Sequence, residues 1–154
     1  NYQRALAIAR KSGDLATAAI IALNISQCFQ IEDKWEDTYS YLVYALNTFE
    51  NNPVKTAHTW LHIALCHEAL AEVDMRRRFF DKAHEHLNKI KELAANKTYL
   101  KPYLFGKHLL RLKLYHAEER EGDFSTKLSL LREEELSANE KEILEGYLKT
   151  AEEM

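Results

Sequence analysis

The stretch AHTWLHIALCHEALAEVDMRRRFFDKAHEHLNKI, residues 57–90, decides the fold. Trp60, Ile63, Ala64 and His67 follow the three-and-four spacing of one helix face, and Ala83 and Leu87 resume that rhythm beyond Arg76, Arg77 and Arg78. Related spacings stand around Phe29 and Phe124. Helix pairs repeated along a chain form an array of hairpins, in which each pair buries its apolar face only by stacking on its neighbours.

Composition agrees with an all-α chain. Of 154 residues, 46% are hydrophobic and only four are Gly and two Pro, too few turn formers for a many-stranded fold. The longest apolar-plus-small run, Ala16 to Leu23, is far short of the about 20 residues a bilayer helix needs, so no membrane insertion is expected. Two cysteines, Cys28 and Cys66, make neither a disulfide framework nor a zinc spacing, and reduced thiols fit a cytoplasmic protein. Charge is uneven. Residues 116–154 hold twelve Asp/Glu against five Lys/Arg, giving −7 there and +4 before it, which argues against direct nucleic-acid binding. A chain that opens on Asn1 is expected to be a piece of a longer protein.

Cap signals divide the chain into helices near 1–11, 15–31, 34–49, 53–75, 79–95, 100–121, 124–133 and 138–154. Gly13-Asp14 and Gly122-Asp123 read as a stop followed by a new cap. Asp33 with Glu36 and Ser137 with Glu140 have capping-box spacing, and Asn52-Pro53 reads as a cap with Pro at the first helical position.

Laid over one another, the pairs resemble the tetratricopeptide repeat family. One helix carries Ala22, Ile25-Ser26 and Phe29 at that family's large, Leu-Gly and aromatic positions, and the next carries Thr38, Leu42 and Ala45-Leu46. A second copy matches Trp60, Ile63-Ala64 and His67 with Phe80, Ala83, Leu87 and Ile90, leaving seven extra residues, about two helical turns, between its halves. A third fits at Leu114 and the Gly122-Asp123-Phe124 turn, with Lys127 and Leu131 departing from the pattern. Tyr2, Ala5 and Leu6 match the end of a preceding half-repeat. The resemblance implies an α-solenoid of about three antiparallel hairpins forming one domain over 1–154. Residues 136–154 would cap it, with Ile143, Leu144, Tyr147 and Leu148 facing inward. Repeat spacings near 40 residues are similar to those of bacterial regulatory helical-repeat proteins.

The same register places Asn24, Gln27, His58, His62, Lys113, His116 and Arg120 along a concave groove, where amides, imidazoles and cations can hydrogen-bond a peptide; these types also suit a solvated face. Only Asn24 falls on a position of the family's carboxylate clamp, so recognition of a C-terminal carboxylate is not expected. His58, His62 and Cys66 step by four and could converge on a metal, but Cys66 and Cys28 share a repeat position that the family fills with a small buried residue, so no metal or other cofactor is expected. Arg76, Arg77 and Arg78 form the only compact basic cluster, suited to a phosphate or to a solvated helix end. No phosphate loop, nucleophile elbow or paired-carboxylate motif is present, and the expected role is non-catalytic. Two functions follow: a scaffold binding a protein or peptide in the groove, or a signal-peptide-sensing regulatory domain of a larger protein. Self-association through Ala5, Leu6, Ala7 and Ile8 is a further expectation.

Overall fold

A computed structural model describes residues 2–134 and 136–153. Among them are eight α-helices and no strand: α1 (Tyr2–Ser12), α2 (Leu15–Ile31), α3 (Trp35–Asn51), α4 (Ala57–Arg76), α5 (Phe80–Asn96), α6 (Leu104–Ala117), α7 (Glu121–Glu133) and α8 (Ala138–Glu153), with a 3₁₀ helix over Thr98–Tyr103. Asn1 and Met154, the outer ends of the first and last expected helices, lie outside the described residues. The chain divides into two compact units, Asn1–Lys101 and Pro102–Met154.

In the first unit α1 packs on α2, α2 on α3, α3 on α4 and α4 on α5. Small side chains make this approach close: Ala18, Ala19, Ala22 and Ala45 are fully buried, and Leu42, Phe49, Ile63, Leu70 and Val73 fill the space between helices. The buried residues of α4, from Ile63 to Asp74, include Ala64, Cys66, His67, Leu70 and Ala71. On α1, Leu6 and Ala9 are buried whereas Tyr2 and Ile8 are exposed, so only part of the expected free apolar face is open. In the second unit α6 packs on α7, and Leu112, Leu131 and Leu144 bring one buried leucine from each of α6, α7 and α8 into a common core. Tyr147 and Leu148 pack against that core, but Ile143 is 45% exposed, in contrast to the inward face expected for it.

One turn is built four times. Gly13, Asp33, Arg78 and Glu119 have φ of 81°, 57°, 64° and 58°. Each donates its N–H to the carbonyl three residues back, and the next residue donates to the carbonyl five back: Asp14 to Ala9, Lys34 to Phe29, Phe79 to Asp74 and Arg120 to Tyr115. This left-handed closure satisfies the last carbonyls of one helix before the next begins. Three expected caps therefore differ. Asp33 is the left-handed residue and Lys34 the N-cap; α4 starts after Thr56, boxed with Thr59, while Asn52 accepts from Val54 N–H; and Gly122 lies inside α7. Asp14 caps α2 through Thr17, and Ser137 and Glu140 form the expected box. Because the four turns place very different side chains in one backbone conformation, they respond oppositely to substitution. Gly13→Ala is expected to cost about 1 kcal/mol and Glu119→Gly to gain about as much, read as urea midpoints.

The turns also fix the register between hairpins. Counting back from Asp33, Arg78 and Glu119, Phe29 is equivalent to Asp74 and Tyr115, and Ala22 to His67 and His108. Counted from the turns, the counterpart of Ala22 on α4 is therefore His67, seven residues after Trp60. A slip of two helical turns leaves the buried stripe almost in place, so periodicity alone cannot detect it.

Candidate functional site

Helices α2 and α4, both packed on α3, border a cleft of about 180 Å³ lined by Leu23, Ser26, Gln27 and Gln30 from one and Leu65, Glu68, Ala69 and Glu72 from the other. It continues into an open mouth of about 520 Å³ at Ile31, Asp33, Trp35 and Arg76, which shares Gln27, Gln30 and Glu72. Ser26 is satisfied within its own helix, its hydroxyl donating to the Leu23 carbonyl at 2.6 Å. The side chains of Gln27, Gln30, Glu68 and Glu72 make no hydrogen bond or ion pair among the described residues. Burial, and secondarily the neighbouring Glu72, raises the pKa of the half-buried Glu68 carboxyl. Ionised Glu68 therefore strains the fold, and Glu68→Gln is expected to stabilise it by about 0.5–1 kcal/mol at pH 7. The gain should shrink toward pH 4, where the wild-type carboxyl is itself neutral in the folded chain; a gain independent of pH would mean that Glu68 is not under this strain.

The seven residues expected in the groove are divided between the units. In the first, Asn24 is half-buried on α2, Gln27 lines the cleft, His58 is exposed, and His62 stacks on Phe49 of α3 with ring centroids 5.1 Å apart. The residues of α4 that line the cleft include Leu65 and Ala69, seven positions on from the two histidines. In the second unit Lys113 lies over Tyr147 and His116 against Phe124. Arg120 bonds Glu118 at 3.0 Å and Asp123 at 2.8 Å. His116 and Arg120 border a larger cleft of about 840 Å³ with Phe124, Leu128 and Leu148. Arg120 there has two carboxylates and Arg132 pairs with Glu145 at 3.5 Å, while Glu119, Glu121, Lys149 and Glu152 are exposed to solvent. Size favours this cleft; two partly buried carboxylates without an ion pair among the described residues, Glu68 and Glu72, favour the one between α2 and α4.

The other sequence candidates resolve into packing. Arg76 lies over Trp35, Arg77 over Tyr39 and Phe79, and Arg78 over Phe80, so the basic cluster is spread over four rings. Cys66 is buried, its thiol pushed up to about 12 chiefly by burial, whereas Cys28 is exposed, contrary to the packing role expected for both. Among the described residues no three His, Cys, Asp or Glu side chains converge to hold a metal ion.

A polar chain absent from the sequence reading crosses the first unit. His67 Nδ1 meets His86 Nδ1 at 3.0 Å, His86 Nε2 stands 3.4 Å from Asp74, and Arg77 stands 3.6 Å from Asp74 and 3.1 Å from Glu36. Asp74 is 1% exposed, and neither of its oxygens receives a hydrogen bond. The equivalent pair in the second unit is His108 and Lys127, whose ammonium donates to His108 Nδ1 at 2.7 Å; both pairs are 19 residues apart. Burial, helped by nearby cations, holds His108 at about 4; burial, His86 and Lys89 do the same for His67.

No helix among the described residues is long and apolar enough to cross a membrane. No protein-family model, curated protein or solved structure matches the chain.

Proposed function

We propose that the chain is a TPR-like helical-repeat module whose groove between α2 and α4 binds an extended segment of a partner protein, without catalysis. The observation that carries this is the set of four polar side chains, Gln27, Gln30, Glu68 and Glu72, that line one cleft and make no hydrogen bond or ion pair among the described residues. The recurring turn and the equivalence of His67–His86 with His108–Lys127 support the repeat reading. Amides on one wall can pair with an extended backbone, while Leu23, Leu65 and Ala69 cover its apolar side chains. Both walls are helices held against α3, so the groove is preorganised and binding orders little of the receptor.

A bead-displayed library of random decapeptides tests this on the full chain. Sequences retained by the wild type and lost on Gln27→Ala/Gln30→Ala, a variant with unchanged tryptophan emission, are the expected result. Retention by both proteins, or by neither, removes the groove as the binding site.

A further inference from the structure

We propose that the segment bound between α2 and α4 presents one lysine or arginine, whose aliphatic stem lies along Leu23, Leu65 and Ala69 and whose charged head reaches Glu68 and Glu72. This rests on the groove reading above and specifies its partner. Size is the first ground. Pockets for whole ligands run to about 300–1,000 Å³, so the 180 Å³ between the helices suits a single side chain, with the open mouth left for the flanking chain. The lining is the second. Apolar side chains and two carboxylates in one lining match a long side chain that is greasy along its length and charged at its tip.

Charge complementarity is the third. Glu68 and Glu72 stand one helical turn apart on α4, both partly buried and neither ion-paired among the described residues. The cation lining the mouth, Arg76, is engaged over the Trp35 ring at 5.7 Å, and Asp33 in the same lining adds a further negative charge. Two carboxylates at a like-charge distance repel one another, and burial adds to that cost, as the raised Glu68 pKa reflects. A cation brought by the partner removes both penalties, whereas a neutral or acidic side chain removes neither. Gln27 and Gln30 on the facing wall offer amide carbonyls to the remaining N–H groups of a guanidinium or ammonium.

The test uses the same decapeptide library on the full chain and on Glu68→Gln/Glu72→Gln, which preserves shape and relieves strain. Retained peptides are expected to carry Lys or Arg at one fixed position. Replacing it by norleucine should weaken binding to the wild type tenfold or more, with no further loss on the glutamine variant, and affinity should fall as salt rises. Peptides that depend on Gln27 and Gln30 but bind the glutamine variant equally, or that lack a fixed cation, overturn the inference and leave the groove reading intact. Absence of any retained peptide overturns both, and binding of spermidine alone with the same Glu68/Glu72 dependence assigns the groove to a free polyamine instead.

Discussion

Arg77→Ala is expected to lower the unfolding free energy of the first unit by about 3 kcal/mol, the scale of breaking a buried ion pair from one side. Arg77 holds together three elements: Glu36 and Tyr39 on α3, Asp74 on α4, and Phe79 in the turn to α5. Its removal leaves Asp74, 1% exposed, with His86 as its remaining ion-pair partner among the described residues. The loss thus combines a stranded carboxylate with two lost ring contacts. Adding Asp74→Asn to Arg77→Ala should recover the electrostatic part, and Arg77→Lys should lie between, since an ammonium keeps the charge without the planar fork. Urea unfolding followed by tryptophan emission is the suitable measurement, because Trp35 and Trp60, the only tryptophans, both belong to this unit. A cost below about 0.5 kcal/mol would place Arg77 with ordinary surface cations and make His86 the effective partner of Asp74.

The unequal legibility of the sequence has a physical cause. Helix existence was readable because three-and-four spacing follows directly from burial of one face: Leu42, Ala45, Leu46 and Phe49 are all buried as that spacing requires. The turns were not, since a left-handed backbone is announced by glycine, and only Gly13 among the four obeys; Asp33, Arg78 and Glu119 adopt the same φ under tertiary constraint. Register is hard to read for a related reason. Trp60, aligned with Ala22 by its apolar stripe, and His67, aligned with Ala22 by counting back from the turns, are about two helical turns apart, which periodicity reads as nearly identical. Of the residues expected in the groove, Gln27 lines this cleft, and on α4 the lining residues Leu65 and Ala69 stand seven residues after His58 and His62. Glu68 and Glu72 read in sequence as an ordinary charged face; only the approach of α2 makes their missing counter-ion visible. The Asp74–His86–His67 chain was equally hidden, because its members are 7 to 19 residues apart on two helices, and nothing in their spacing distinguishes them from solvated polar residues.

Acidification is expected to destabilise both units through their equivalent histidines. His67 and His108 have folded pKa values of about 4 against an ordinary 6.5, each lowered first by burial and then by nearby positive groups, His86 and Lys89 in one case and Lys127, Lys107 and Arg111 in the other. Between pH 6.5 and 4 the unfolded chain therefore binds more protons than the folded one, so the unfolding free energy falls as pH falls through this window. Above 6.5 the full stability is present, and below 4 these two groups contribute no further slope. Each unit of separation corresponds to about 1.4 kcal/mol, so His67, 7% exposed, accounts for a loss of about 3 kcal/mol by pH 4, and the half-buried His108 for less. Glu68 acts in the opposite sense. Its raised pKa lets the folded chain take up a proton earlier, so its strain is relieved on acidification and partly offsets the loss in the first unit. Replacing His67 by Gln, which keeps a donor toward His86, should therefore reverse the slope of the tryptophan-detected midpoint between pH 6.5 and 4.5, leaving only the weaker contribution of Glu68. The far-ultraviolet dichroism of the second unit should retain its acid sensitivity in that variant and lose it in His108→Gln. A wild-type midpoint that is flat across this interval would show that the two imidazoles are open to protonation in the folded state. The hydrogen bonds to His86 and Lys127 would then have to rearrange at no cost, which is incompatible with an ammonium 2.7 Å from His108 Nδ1.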